Sequence, residues 1–217
     1  MPKRNDIARL LQELVVAPAM LRTWTHVVLP GLLFYGVSLL VLKHHGLTMM
    51  EILRDPAQQS GASGFIGFLS NIGVWLWIGS ATICLFTFST QRQQLPRTHR
   101  ELLVLTGLLS LCLGVDDFFL IHDRYIDEHL CFLAYAFMAG ALLWRHHRNI
   151  LAIQGPAFLL ACTLLGLSIL TDLLQARLPV SYHYTQVLEE GFKFIGAATW
   201  SYYCAMIAAH RPEGAQA

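Results

Sequence analysis

The chain has 217 residues, of which 55% are hydrophobic and 13% are charged. Because a soluble domain carries about 25% charged residues, this composition excludes an ordinary soluble protein and indicates one embedded in a membrane. The net charge of +1 gives a nucleic-acid partner no electrostatic support, since such partners are bound mainly by neutralising phosphates.

The N-terminal segment, residues 1–23, precedes the first long apolar run. Within "NDIARLLQELVVAPAML" (5–21), Ile7, Leu10 and Leu14 fall on one face at helical spacing. This pattern predicts an amphipathic helix at the cytoplasmic membrane interface. The same face would also suit packing against a helical bundle.

Six apolar runs follow, each near the ~20 residues that cross ~30 Å of hydrocarbon. They are continuous rather than alternating, and a backbone in lipid must satisfy its own hydrogen bonds, so helices are expected. We therefore predict an all-α polytopic membrane bundle of about six helices over 24–209, followed by a short cytoplasmic tail, 210–217. The predicted spans are 24–43, 64–90, 102–122, 129–145, 150–174 and 184–209.

Lysines and arginines fall mostly on one side of these spans: ahead of span 1, between spans 2 and 3, between spans 4 and 5, and after span 6. Basic residues favour the cytoplasmic side of a membrane protein. We therefore predict a protein of the bacterial inner membrane with both termini in the cytoplasm. The loops expected outside are 44–63, 123–128 and 175–183.

The stretch "LGVDDFFLIHDRYIDEHL" (113–130) places five carboxylates and two histidines between Asp116 and His129. Spans 2, 3, 5 and 6 all carry polar residues in their outer third, at one common depth. Unrelated surface charges would not be expected to match in depth across four helices, so the pattern predicts a polar chamber that faces outward. Its expected members are Asn71, Asp116, Asp117, Asp172, Glu189, Glu190 and Lys193.

The charges of this chamber do not balance, because five embedded carboxylates face the single ammonium of Lys193. An uncompensated charge in the membrane costs at least ~2.5 kcal/mol. The excess is relieved if some carboxyls are protonated, if a cation is bound, or if water fills the site. The first two remedies are functional, as a proton relay or as a metal or ion site.

We predict a divalent metal site as the leading hypothesis. Carboxylates with an imidazole suit Fe, Mn or Zn, whereas carboxylates alone suit Ca or Mg. A catalytic metal would activate water or hold an oxygen-rich substrate, either a lipid or a small periplasmic molecule. The predicted ligands are Asp116, Asp117, His122, Asp172 and Glu190. The residues expected to orient them are Asn71, Asp123, Glu189 and Lys193.

Two other functions use the same residues. A proton- or cation-coupled transporter or channel would use the acids as a relay and Lys193 as a movable counter-charge, although the apolar inner halves of the spans argue against a pathway. A non-catalytic assembly subunit would use the network only to hold spans 3, 5 and 6 together.

Two motifs within spans 3 to 6 carry a resemblance. "DDFFLIHD" (116–123) and "EEGFKFIG" (189–196) resemble the pattern DDxxxxH[DE] followed by EExxKxxG in uncharacterised bacterial polytopic membrane proteins. The resemblance implies a shared site and no particular reaction.

Overall fold

A computed structural model of the chain describes residue 25 and residues 29–53, 56–175 and 182–211. Every element within these ranges is helical, which confirms the all-α prediction for this part of the chain. The predicted amphipathic helix within 5–21 and most of the C-terminal tail lie outside the described residues. The helices are α1 (Leu29–His44), α2 (Met49–Leu53), α3 (Pro56–Ser60), α4 (Phe68–Gln91), α5 (Arg97–Phe119), α6 (Ile121–Arg124), α7 (Glu128–Leu174) and α8 (Tyr182–Ala209).

The chain divides into two compact units, Met1–Ile66 and Gly67–Ala217. The described helices of the first unit are α1 to α3, and α1 is a short apolar helix. A hydrogen-bonded cap starts α2: the Thr48 backbone N–H and hydroxyl donate to the Glu51 carboxylate at 2.8 and 2.7 Å. These two hydrogen bonds lower the pKa of Glu51.

The second unit contains three helices long and apolar enough to cross a membrane, α4, α5 and α7. Their outward faces expose large apolar side chains, including Trp75, Phe86 and Phe137. A continuous apolar surface of this kind is unfavourable in water and suits contact with lipid. The described part of the chain is therefore built for association with a membrane.

The 47-residue helix α7 is broken at Gln154, where φ is −159° and ψ is 58°. An unbroken helix of this length would reach ~70 Å, more than twice the ~30 Å of membrane hydrocarbon. The sequence explains the break, because Pro156 lacks a donor N–H and disfavours helical geometry in the residues before it. The prediction of a loop between spans 4 and 5 was wrong, because residues 146–149 are helical. The helix is interrupted later, at Gln154.

The chain reverses direction at this break. The half of α7 before Gln154 runs antiparallel to α5, since Phe132 packs against His122 just after the end of α5 and Arg145 pairs with Glu101 near its start. The half after it runs antiparallel to α8, with Phe158 against Tyr203 and Gln154 bonded to Tyr202. The helix α8 is itself antiparallel to α5, since Lys193 pairs with Asp117 and the Ile207 carbonyl oxygen lies 2.9 Å from His99 Nε2. The two halves of α7 therefore point in opposite directions.

Three glycines allow the helices of this unit to approach closely. A Cβ atom at Gly107 or Gly114 of α5 would lie 2.9 Å from a side-chain atom of Leu85 or Ile78 on α4. A Cβ atom at Gly196 of α8 would lie 2.9 Å from Leu165. The first two glycines therefore bring α5 close to α4, and the third brings α8 close to the second half of α7.

We name the two ends of this unit by their charges. The acidic end is where α5 finishes and α8 begins, and it carries Asp116 and Asp117. The basic end is where α4 finishes and α5 begins, and it carries Arg92 and Arg97.

Candidate functional site

The first half of the site forms where α5 ends at the acidic end. Leu120 adopts the left-handed conformation (φ 53°, ψ 45°) and donates its backbone N–H to the Asp116 carbonyl oxygen. This turn brings the next helix, α6, back over the end of α5. As a result the His122 backbone N–H donates to Asp116 Oδ1 at 2.9 Å, and His122 Nδ1 lies 3.0 Å from Asp116 Oδ2.

The turn at Leu120 is energetically costly. Among the described residues, Leu120 is the only non-glycine residue with positive φ. The left-handed conformation costs an ordinary L-residue about 1–2 kcal/mol. Strain of this kind collects at functional sites, and here its structural result is the contact between Asp116 and His122.

The imidazole of His122 connects a buried carboxylate to the surface. With Nδ1 donating to buried Asp116, the tautomer assigned from this contact leaves Nε2 free to accept a proton or bind a ligand. Nε2 lies 3.4 Å from Asp123 Oδ1, and the Asp123 side chain is half exposed. The ring also packs against Phe132 of α7 at a centroid distance of 5.9 Å. This arrangement is suited to exchange of a proton between the interior and the outside.

The second half of the site is an ion pair between α5 and α8. Lys193 Nζ lies 2.6 Å from Asp117 Oδ1, with Asp117 buried and Lys193 30% exposed. The same ammonium lies 4.0 Å from Glu190 Oε1. The other oxygen of Asp117 faces Gly73 of α4, where a Cβ atom would lie 4.0 Å away. One positive charge is therefore placed between a buried carboxylate and an exposed one.

Two of the remaining predicted site residues have other hydrogen-bond partners, although the Glu189 carboxylate lies within electrostatic reach of Asp172 and Lys193. Asp172 accepts a hydrogen bond from Gln175 at 2.8 Å, and Glu189 accepts one from Gln186 at 2.8 Å. Asn71 is exposed in the first turn of α4. The structure brings together Asp116, Asp117, His122 and Lys193, which we call the paired-charge site, with Asp123 and Glu190 at its edge.

The predicted metal site gains no support from this geometry. Across the described ranges, no three histidine, cysteine, aspartate or glutamate side chains converge as metal ligands would. Two of the predicted ligands are already balanced by protein groups, Asp116 by His122 and Asp117 by Lys193. Metal binding by Asp116, Asp117, His122, Asp172 and Glu190 thus stays a prediction.

A buried line of polar side chains on α5 was not anticipated. His99, Thr106, Ser110 and Asp117 are separated by seven, four and seven residues, a spacing that puts them on one helical face. All four are buried. We call this set the α5 stripe, and it extends from the basic end to the paired-charge site over about 27 Å at ~1.5 Å per residue.

The α5 stripe faces α8. The Ser110 hydroxyl accepts from Trp200 Nε1 at 2.8 Å and donates to the Thr106 carbonyl oxygen at 2.8 Å. The hydroxyls of Thr106 and Tyr203 lie close together, and neither completes a hydrogen bond of normal geometry within the described residues. At the basic end, His99 Nε2 lies 2.9 Å from the Ile207 carbonyl oxygen. Its ring lies 5.6 Å from that of His210.

A family model described as "Domain of unknown function (DUF8692)" matches residues 27–207. No curated protein and no solved structure gives a significant match. The matched range includes the paired-charge site and the whole of the α5 stripe. Since the match covers most of the chain, this protein belongs to the DUF8692 family.

Proposed function

We propose that this protein transfers protons across a membrane, as a proton channel or a proton-coupled transporter. The observation that carries the proposal is the α5 stripe, which extends from the paired-charge site at one end of the helix to His99 at the other. Its length of about 27 Å is close to the ~30 Å of membrane hydrocarbon. The apolar inner halves of the spans argued against a pathway, and the shared face of the stripe removes that objection.

At the acidic end, His122 is the group that exchanges protons with the outside. Asp116 holds its Nδ1, while Nε2 points toward the half-exposed Asp123. An imidazole has two ring nitrogens, so it can accept a proton at one of them and donate a proton from the other. The Leu120 turn keeps the ring in this position.

Lys193 acts as a movable counter-charge. In the proposed mechanism, its ammonium moves from Asp117 toward Glu190 as a proton arrives at Asp117, so that the buried carboxyl is not left with an unbalanced charge. When the ammonium returns, the proton is released. The two distances, 2.6 Å to Asp117 and 4.0 Å to Glu190, require only a small side-chain movement.

From Asp117 the proton follows the α5 stripe through Ser110, Thr106 and Tyr203 to His99. The two seven-residue steps along α5 each cover about 10 Å, more than a direct hydrogen bond reaches. Water bridges these steps in the proposed mechanism. The incompletely bonded hydroxyls of Thr106 and Tyr203 are the groups available to such water.

The membrane arrangement in this proposal has about six spans in a bacterial inner membrane, with both termini cytoplasmic and the acidic end outside. The reversal at Gln154 supports it, because α4, α5, the two halves of α7 and α8 then alternate in direction. The apolar helix α1 supplies the remaining span. The arginines of the basic end agree with a cytoplasmic location.

Proton flux into liposomes tests the proposal. Protein is reconstituted with a pH-sensitive dye inside, and flux is measured under an imposed membrane potential, with and without a pH gradient. The expected result is a flux several-fold above that of empty liposomes, with most of this excess lost in Asp117→Asn and in His122→Gln. His129→Gln is the matched control, since His129 is an exposed histidine at the same end. Flux equal to that of empty liposomes under all conditions, or equal loss in the control, refutes the proposal.

A metal site is the second candidate, and one distance favours it. His122 Nε2 and Asp123 Oδ1 lie 3.4 Å apart, with Asp116 behind the ring, and ligating histidines are commonly oriented by a carboxylate in this way. In this version His122 and Asp123 bind Fe, Mn or Zn. The substrate is a lipid or a periplasmic small molecule.

Elemental analysis of the detergent-purified protein tests the metal. A stoichiometric metal that is lost in Asp123→Asn and retained in Asp172→Asn supports this candidate. No metal in the parent protein, even after incubation with these cations, eliminates it. If flux and metal are both absent, the pair of Asp117 and Lys193 serves only to hold α5 against α8, as in an assembly subunit.

A further inference from the structure

A cavity of about 390 Å³ opens at the basic end of the second unit, between the end of α4, the start of α5 and the first half of α7. Four arginines against one glutamate give it three positive charges in excess. Its lining residues are Phe88, Arg92, Arg97, Arg100, Glu101, Val104, Leu105 and Arg145.

Contacts within the cavity hold three of the arginines in place. Arg145 forms a two-pronged ion pair with Glu101, with its Nη2 at 3.1 Å from Oε2. Arg100 Nη1 donates to the Arg92 carbonyl oxygen at 3.2 Å, and the Arg92 guanidinium lies 5.9 Å from the centre of the Phe88 ring. Each guanidinium has five N–H donors, so most donors of Arg92, Arg97 and Arg100 are free for a ligand.

The start of α5 adds to the positive potential of the cavity. Its first turn contains Arg97 and Arg100 and no acidic residue, and Pro96 provides no side-chain cap. The unpaired backbone N–H groups of a helix N-terminus favour a bound anion. An oxygen-rich anion is therefore the ligand that this cavity suits.

The cavity also has an apolar wall, formed by Phe88, Val104 and Leu105. These residues belong to α4 and α5, two of the helices apolar enough to cross a membrane. Leu105 is exposed. A free phosphate would gain no binding energy from this apolar wall, whereas the acyl chains of a phospholipid would lie along it.

We propose that this arginine pocket binds the phosphate headgroup of an anionic phospholipid from the surrounding membrane. Arginine matches phosphate oxygens with paired hydrogen bonds, and basic pockets between membrane helices are suited to anionic headgroups. The inference rests on the membrane association of α4 and α5 and does not depend on proton transfer.

Lipid binding to the detergent-purified protein tests the pocket, by native mass spectrometry with phosphatidylglycerol and phosphatidylcholine. The parent is expected to prefer phosphatidylglycerol, and the double variant Arg97→Gln/Arg100→Gln to lose about 25-fold in affinity, roughly fivefold per arginine. Arg148→Gln is the matched control, an exposed arginine of α7 that does not line the cavity. The double variant Arg97→Lys/Arg100→Lys keeps the charge and shows whether the loss comes from a folding defect. It should retain an intermediate affinity, because only the paired hydrogen bonds are lost.

Two results would overturn this proposal. One is equal affinity of the parent for both lipids, or an equal loss in the control and the double variant. The other is inorganic phosphate binding that depends on Arg97 and Arg100 while phosphatidylglycerol binding does not, which would assign the pocket to a soluble phosphate compound instead.

Discussion

The ion pair between Asp117 and Lys193 allows an asymmetric test of how the two helices α5 and α8 are held together. The Asp117 side chain is 7% exposed and the Lys193 side chain 30% exposed. Removing the ammonium with Lys193→Met leaves a buried carboxylate without a partner, whereas Asp117→Asn leaves an ammonium that still reaches water and Glu190. The first variant should therefore be much the less stable.

The expected magnitudes follow from this difference in burial. Lys193→Met should lower the free energy of unfolding by about 3–5 kcal/mol, the usual effect of breaking a buried ion pair from one side. Asp117→Asn should lower it by about 1–2 kcal/mol, and the double variant by about 2 kcal/mol, because no unpaired charge remains. The resulting coupling of about 3 kcal/mol lies at the upper limit for residues in direct contact.

Unfolding of the detergent-solubilised protein, followed by far-UV circular dichroism during titration with a denaturing detergent, measures these differences. Glu190→Gln is the matched control: Glu190 shares the same lysine, but its side chain is 47% exposed, so its loss should cost less than about 1 kcal/mol. Additive single effects, or a Lys193→Met cost no greater than that of the control, would show that the pair does not hold α5 to α8.

Three further predictions concern α5 and its surroundings. Leu120→Gly should change the stability by less than about 0.5 kcal/mol. Leu120→Val should cost about 1–2 kcal/mol, because a β-branched residue disfavours the left-handed conformation. Equal effects of the two variants in thermal unfolding would argue against this turn. Gly114→Ala should cost about 1–3 kcal/mol by crowding Ile78 and Trp77. Gly140→Ala, whose Cβ would meet no described atom within 4 Å, should raise the stability by up to about 1 kcal/mol in the same assay, because alanine is the better helix former. Trp200→Phe and Ser110→Ala each remove the hydrogen bond between these two side chains, and Ser110→Ala also removes the one to the Thr106 carbonyl oxygen. Trp200→Phe should cost about 1 kcal/mol and Ser110→Ala about 1–2 kcal/mol, with a double-variant effect smaller than the sum of the two.

The sequence was sufficient for the helical class of the described residues, because the apolar runs counted along the chain predict helices. It was not sufficient for the partners of the charged residues, because the position of a residue along a helix does not state which way its side chain points. Asp172 and Asp117 were expected in one chamber, and the sequence did not identify their hydrogen-bond and ion-pair partners, Gln175 for Asp172 and Lys193 for Asp117. The contact between His122 and Asp116 depends on the left-handed backbone conformation of Leu120. The sequence does not predict this conformation, because leucine rarely adopts it.

The α5 stripe shows why a count of polar residues was a poor guide to a pathway. In the part of α5 from Leu102 to Phe119, the side chains that carry oxygen or nitrogen are only those of Thr106, Ser110, Asp116 and Asp117. What matters for a proton is whether the polar groups share a face and whether that face is enclosed. The seven-four-seven spacing of His99, Thr106, Ser110 and Asp117 meets the first condition in the sequence itself. Trp200 and Tyr203 of α8 are both buried against this face and meet the second condition, enclosure of the face. A membrane helix with few polar residues can therefore place most of them on one enclosed face.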